Sequence, residues 1–449
     1  MSLIHKKLRD IWQNDPLLRR VLRNTSYLFS SQAIVMVLSL GQSILATRLL
    51  GTDAFGALVV IMTFASNVNR LFSFRMSEFI INFMGKEMAT KNYTRAGAFA
   101  KVAGLTECST SIFAFIVLML IAPWGAQFFA KDTALLPYFY LYGVIILTNF
   151  ATETATGILQ VTNKFKIQAW INLAQSILTA SLILVAFLTH GSLLFVLWAY
   201  LLGKCITGLG PIIAALVVLN KKLGRDWWKA PLVDLPSFKV MAGFTVSTNL
   251  SGTVKLLVSE SEPLLVGLLL NNTAVALYKI ALNIATPLMV PISQFINTTF
   301  PEMTRSIATR KWKELKQLLR RVTMISGAWT ILFSIVMLLF GKWILSIWGS
   351  EYVAAYSTMM ILIAGYGVSN IFFWNRSLLL SFGRANIPLY ILASVAVVKC
   401  ALAFVVVPVF GINGEAALLS GNFVLSVGLL VAIGLAMIRK HEQLELTVE

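Results

Sequence analysis

The chain has 449 residues, of which 57% are apolar and 12% charged, with a formal net charge of +18. A mean hydropathy of +0.79 and apolar runs of twenty residues or more exclude a water-soluble globular protein and make the bilayer its solvent. The excess of cations is not the footprint of a nucleic-acid binder, because most of it falls in alternate loops between the apolar runs.

In chain order, hydropathy predicts twelve helical spans, at about 25–49, 57–84, 95–122, 136–162, 167–189, 193–219, 238–269, 275–300, 320–347, 355–382, 387–409 and 414–438. The expected fold is therefore an all-α integral membrane protein. Ahead of span 1, residues 1–24 read as a charged cytoplasmic segment without a cleavable signal. Within it, Leu8, Ile11 and Trp12 fall at the spacing of an amphipathic helix lying on the inner leaflet. Lys86, Lys91 and Arg95 follow span 2, and Lys164 and Lys166 follow span 4. Lys221, Lys222, Arg225 and Lys229 follow span 6, and a basic run from Arg305 to Arg321 follows span 8. Arg384 follows span 10, and Arg439 and Lys440 follow span 12. The alternate loops hold little beyond Arg48, Lys131 and Lys342, so the positive-inside rule puts both termini in the cytoplasm and the basic loops against anionic lipid.

Two echoes share one register. Leu49-Leu50-Gly51-Thr52-Asp53-Ala54 is answered by Leu269-Leu270-Asn271-Asn272-Thr273-Ala274, 220 residues on (269 − 49). Asn163-Lys164-Phe165-Lys166-Ile167 is answered by Gly383-Arg384-Ala385-Asn386-Ile387 at the same offset (383 − 163 = 220). Both echoes fall at span ends, which argues for a duplicated half, as is common in transporters. The division predicted is a bundle over 25–219, a basic linker over 220–237, a second bundle over 238–438 and a tail over 439–449. An even number of spans per half makes the repeats parallel, related by a pseudo-two-fold axis along the membrane normal.

Little in the chain points to catalysis. The outward loops are short, leaving no room for an external catalytic domain. Gly85-Lys86, Gly203-Lys204 and Gly341-Lys342 lack the rest of a phosphate loop, and no Cys/His set has metal-ligand spacing. Neither an enzyme nor a metal or cofactor site is expected, apart from a coupling ion. Cys108, Cys205 and Cys400 lie inside spans and read as small apolar fillers.

Charge inside the spans is more informative. Arg70, Arg75, Lys204, Lys255, Lys279, Arg376 and Lys399 would each cost about 3 kcal/mol near the bilayer centre, so most must face a wet cavity, an acid or the interface. Arg75 and Glu78, three residues apart, fit a structural pair. Arg70 instead shares a helical face with Ser66, Ser73 and Ser77, which suits a cavity wall. Span 4 carries a polar stripe of Asn149, Thr152, Glu153, Thr156 and Gln160, in which Glu153 is either an interhelical strut or a coupling or gating group. In span 7, Lys255, Ser259 and Glu262 share a face, and Glu260 and Glu262 precede a Pro263 expected to bend the helix. Asn283 and Thr286 lie on one face of span 8, which contains Pro287 and Pro291.

The opening Val21-Leu22-Arg23-Asn24-Thr25, the span end Arg48-Leu49-Leu50-Gly51-Thr52-Asp53-Ala54-Phe55-Gly56 and the stretch Glu262-Pro263-Leu264-Leu265-Val266-Gly267 through Tyr278 resemble the prokaryotic polysaccharide exporters. These are flippases of lipid-linked oligosaccharides, related to lipid II flippases and multidrug/toxin exporters. The resemblance implies two six-span bundles around a central cavity lined mainly by spans 1, 2, 7 and 8, and the expected location is the cell (cytoplasmic) membrane. It implies a sugar chain on a polyprenyl pyrophosphate as substrate, with a polysaccharide polymerase or glycosyltransferases as partners beside the membrane lipids, and no nucleic acid. Arg70, Lys255, Lys279 and Arg376, with Gln42 and Asn283, are then the candidate substrate contacts, and Glu153, Glu260 and Glu262 the candidate coupling or gating groups. An ion-coupled multidrug exporter of the same fold and a non-transporting scaffold or lipid scramblase are the alternatives.

Overall fold

The computed structural model describes residues 16–72, 76–232, 235–237, 239, 241–243, 245, 261–384 and 386–446, with side chains outside 16–30, 293, 294, 297, 298, 301 and 444–446. Leu8, Ile11, Trp12, Arg75, Lys255 and Glu260 lie outside the described residues. Helices, joined by short turns, make up the described chain, and no strand occurs among its residues.

In the first half run α1 (Pro16–Phe72), α2 (Met76–Phe79), a π turn (Ile80–Met84), α3 (Gly85–Ala89), α4 (Tyr93–Trp124) and α5 (Leu136–Gly143). They are followed by α6 (Ile145–Thr148), α7 (Thr152–Val161), α8 (Phe165–Leu188) and α9 (Leu193–Leu223). The second half has α10 (Glu262–Leu269), α11 (Asn272–Ala285), α12 (Val290–Ala308), α13 (Trp312–Ser346), α14 (Tyr356–Ile371), α15 (Asn375–Ser381) and α16 (Asn386–Leu446). Among the described residues nine helical stretches are long and apolar enough to cross a membrane. Two of these are double, since α1 bends at Gly51 (φ 73°) and α16 at Gly411 (φ 61°), positions where positive φ favours glycine. Spans 1 to 6 and 8 to 12 are thereby accounted for, while most of span 7 lies outside the described residues.

The duplication is written in the turns. Positive-φ residues pair off between the halves: Lys91 with Arg310 (310 − 91 = 219), Lys131 with Gly349 (349 − 131 = 218), Asn163 with Gly383 (383 − 163 = 220) and His190 with Gly411 (411 − 190 = 221). Each pair reverses or kinks the chain between corresponding helices, so the repeat survives in backbone conformation where the residue types have diverged.

Two compact units emerge from the contacts, one of 1–49, 64–125 and 134–253, the other of 50–63, 126–133 and 254–449. In the first, Met76, Phe79, Ile80, Met84 and Phe99 form a buried core with Ile158 and Leu219, in which the Phe83 and Phe99 rings stack and the Phe79 ring meets them tilted and edge-on. Such dispersion contacts, together with close backbone approach, hold membrane helices together where hydrophobic exclusion cannot. Gly203 provides one approach, because a Cβ there would run into the Thr179 hydroxyl of α8. In the second unit, Ile292, Met303, Trp312, Phe373, Trp374 and Leu378 form the corresponding core, and Gly365 of α14 leaves room for the Ser420 backbone of α16. This unit also ties 126–133 to the start of α11: Asn272 Nδ2 donates to the Ala130 carbonyl at 2.9 Å, and Lys131 donates to that of Leu270.

Several boundaries differ from the hydropathy reading. Span 8 is two helices joined by a 3-10 turn (Thr286–Met289) that contains Pro287, with Pro291 in the first turn of α12, where a missing N–H costs nothing. α13 starts at Trp312 rather than near 320, because Trp312, Leu315 and Leu319 form a buried stripe on an otherwise charged helix end that average hydropathy overlooks. The expected tail continues α16 to Leu446, where Lys316 pairs with Glu442 at 2.5 Å and the His441 ring lies 5.3 Å from that of Phe382.

Candidate functional site

Both halves interrupt a membrane helix at corresponding places, and the interruptions put polar groups at depth. In the first unit, α6 ends at Thr148 and α7 begins at Thr152, leaving N–H groups that no residue of α7 can accept. Glu107 of α4, 1% exposed, accepts from the backbone N–H of Glu153 and of Thr154, each at 2.8 Å, and so caps α7 from a neighbouring helix. Glu153 accepts a 2.6 Å hydrogen bond from Ser77, and Thr152 donates to the Gly208 carbonyl at 3.1 Å. The polar stripe of span 4 thus supplies ties between helices, including the strut read as one of two roles for Glu153. Gln42, 5% exposed, donates to the Ser176 carbonyl at 2.9 Å, which joins α1 to α8. Arg70 is exposed at the end of α1, within electrostatic reach of Lys204 on α9.

In the second unit the break is between α14 and α15. The Asn375 side-chain amide donates to the Phe372 carbonyl at 2.7 Å and holds the turn, and the Trp374 indole donates to Thr323 at 2.8 Å and anchors it to α13. Immediately after comes Arg376, exposed into a cavity of about 460 Å³. Met289, Ile296, Phe300 and Phe373 give this cavity apolar walls, and Ser369, Asn375 and Ser377 give it neutral polar groups. Arg376 is the one ionisable residue lining it among the described residues. The arrangement suits an anionic group with a ring or chain beside it: a five-donor fork, amide and hydroxyl partners, and aromatic faces. Lys279 and Asn283, both half-buried on α11, are not among its lining residues.

A second polar cluster in this unit is sealed. Glu262, Lys399 and Glu415 are 2%, 3% and 0% exposed. Lys399 pairs with Glu262 and, at 2.8 Å, with Glu415, while Tyr278 donates to Glu262 at 2.8 Å. Helical spacing groups Lys255 with Glu262, whereas the described partner of Glu262 is Lys399, 137 residues away in sequence. Sequence reasoning misses Glu415 because it stands at the predicted start of span 12, where an acid looks interfacial. The signal available is a carboxylate in the first turn of an otherwise apolar span that already has an unmatched lysine, Lys399, before it.

Duplicated helical halves, broken membrane helices and buried charge define a multi-pass, all-helical membrane protein. The chain belongs to the family described as polysaccharide biosynthesis protein, which it matches over residues 21–307. Residues 257–405 also match the MatE family. Among individual proteins, it is 23% identical over 352 residues to the inner membrane protein YghQ of Escherichia coli (strain K12), covering 77% of this chain and 97% of that one. Among solved structures, it is similar to the inward-facing conformation of a multidrug resistance MATE family transporter of the MOP superfamily. The identity is 15% and the TM-score 0.72, over 91% of this chain and 96% of the other. It is also similar to a MOP superfamily transporter from Pyrococcus furiosus, at 14% identity and a TM-score of 0.64, over 96% of this chain and 97% of the other.

Proposed function

We propose that the protein flips a lipid-linked oligosaccharide, a sugar chain on a polyprenyl pyrophosphate, from the inner to the outer leaflet for surface polysaccharide synthesis. The observation that carries this reading is the cavity around Arg376, which is basic and has no acid in its lining among the described residues. A pyrophosphate needs its charge balanced before it leaves water, and a guanidinium does this with paired hydrogen bonds. Serine and asparagine side chains replace water around the sugar, and Phe300 and Phe373 offer faces for its apolar side. Arg70 and Lys279 are further cationic contacts in this reading, and both termini lie in the cytoplasm, as the distribution of loop cations favours. A polysaccharide polymerase or glycosyltransferases are the enzymes such a flippase would serve.

The match to MatE and the likeness to a multidrug resistance transporter favour a second reading, export of drugs. Cationic drugs call for an acidic pocket, however, and pocket polarity varies within this fold: for the Pyrococcus furiosus transporter, reverse polarity of the binding pocket suggests a different function. The test is complementation. In a flippase-deficient host the wild-type chain should restore surface polysaccharide, Arg376→Ala should not, and Arg376→Lys should restore part of it. Drug resistance in a pump-deficient host without restoration of polysaccharide would overturn the proposal.

A further inference from the structure

The first unit has a groove of its own, of about 430 Å³, which shares no lining residue with the Arg376 cavity. On α4, Lys101, Gly104, Leu105 and Cys108 line it at i, i+3, i+4 and i+7, and on α9 the stripe from Ile212 to Leu219 repeats that spacing. Each stripe is about 10 Å long, seven residues of helical rise. Phe150 and Ala151, in the break between α6 and α7, form part of the floor, so an occupant packs against the segment that Glu107 caps. Leu105 and Leu216 are 58% and 44% exposed, which opens the groove sideways to lipid. Its two ends differ. One runs inward to Cys108 and Ile212, while the other lies beside the end of α9, where Lys221, Lys222 and Arg225 are exposed. A 3-10 turn (Trp227–Lys229) closes over this basic end, and Gly97 lets it approach, since a Cβ there would meet the Trp227 carbonyl at 3.0 Å. The Trp227 indole donates to Asn220 at 3.0 Å and fixes the turn. Lys229 sits 5.2 Å from the ring centre of the exposed Trp228 and engages Asp226, the acid of this turn, at 2.8 Å. Lys101, half-buried at the same end, has no ion-pair partner among the described residues.

We propose that this groove binds one acyl chain of an anionic phospholipid, with the lipid phosphate at Lys101 and the Trp228 turn, and that the seated lipid braces the break between α6 and α7. Apolar burial alone does not choose the occupant, because a hydrocarbon chain gains little on leaving a bilayer for an apolar groove. Selection falls to the mouth, which offers an ammonium without a partner, further exposed cations and an indole of the kind that sits at headgroup level. A free phosphate would leave the apolar length unfilled, and a zwitterionic lipid brings its own cation to a mouth that is already basic. This goes beyond the substrate reading and fails separately from it, since neither Lys101 nor Gly104 lines the Arg376 cavity.

The experiment uses the purified full chain in detergent, with dioleoyl phosphatidylglycerol and dioleoyl phosphatidylcholine as probes that share their chains and differ in charge. Native mass spectrometry should show one phosphatidylglycerol held more tightly than phosphatidylcholine, and the anionic lipid should raise the wild-type melting temperature more. Lys101→Gln should weaken that binding about fivefold, the share of one lysine near an anionic headgroup. Gly104→Leu separates the groove from general attraction to the basic loops, because it fills the cavity without changing any charge. It should abolish both the tight adduct and the thermal gain, while its melting temperature without lipid stays near the wild type, as nothing lies within 4 Å of the added Cβ. Equal retention of the two lipids by the wild type, or unchanged phosphatidylglycerol binding in Lys101→Gln, would overturn the proposal. So would displacement of phosphatidylglycerol by an equimolar polyprenyl phosphate, which would make the groove a seat for a different lipid. The wild-type and Lys101→Gln measurements decide the matter even where Gly104→Leu folds poorly.

Discussion

Lys399 shows how much a single buried cation constrains a membrane protein. Removing one member of a buried ion pair strands the others, and the usual cost is about 3–5 kcal/mol. Lys399→Met is therefore expected to lower the melting temperature and the folded yield sharply, while adding Glu262→Gln and Glu415→Gln to it should recover much of the loss. Fluorescence-detected thermal unfolding in detergent measures both, and equal stability of Lys399→Met and wild type would contradict the pairing. Glu107 has a different task. It satisfies two backbone donors of α7, so Glu107→Ala should cost about 1–2 kcal/mol, the range for a lost helix cap, and Glu107→Gln less, since an amide oxygen still accepts. These roles are only partly legible in the sequence. Periodicity identifies which residues share a face of one helix, and it correctly isolates Lys399 as an intramembrane cation and Arg376 as a polar residue within an apolar span. It carries no information on partners from distant helices, which is why it offers neither Lys399 for Glu262 nor Ser176 for Gln42.

At the scale of elements, close helix approach depends on residues with no side chain to obstruct it. Gly365→Leu should destabilise by about 1–3 kcal/mol or more, since the added atoms meet the Ser420 backbone, whereas Gly421→Ala, with open space around it, should be near neutral. The same unfolding assay separates the two, and equal effects would contradict the packing described. Helix existence is readable from apolar runs, and so are the two echoes, because Gly51, Asn163 and Gly383 are residues that commonly take positive φ. The other paired turns are not readable: Lys91 and Arg310 take positive φ although neither residue type commonly does, and His190 is answered by a glycine, Gly411. Helix breaks are also hidden. Nothing in Asn149-Phe150-Ala151 announces that span 4 is interrupted, because the acceptor that stabilises the break is Glu107, on another helix.

For the whole molecule, the loop charges predict an orientation and the Arg376 cavity predicts a cargo. A reporter fused after Lys131 should signal outside the cytoplasm and one fused after Lys311 inside it, and the reverse pattern would contradict the assigned topology. The central claim is that the chain moves a pyrophosphate-linked sugar across the bilayer, and reconstitution tests it most directly. Purified protein in liposomes should accelerate the transbilayer movement of a polyprenyl-pyrophosphate oligosaccharide over protein-free vesicles, leaving a zwitterionic phospholipid unaffected. Arg376→Ala should slow that movement by about tenfold or more, because a charged hydrogen bond is worth about 1.5–3 kcal/mol. No acceleration of the oligosaccharide lipid, or equal acceleration of the phospholipid, would contradict the account.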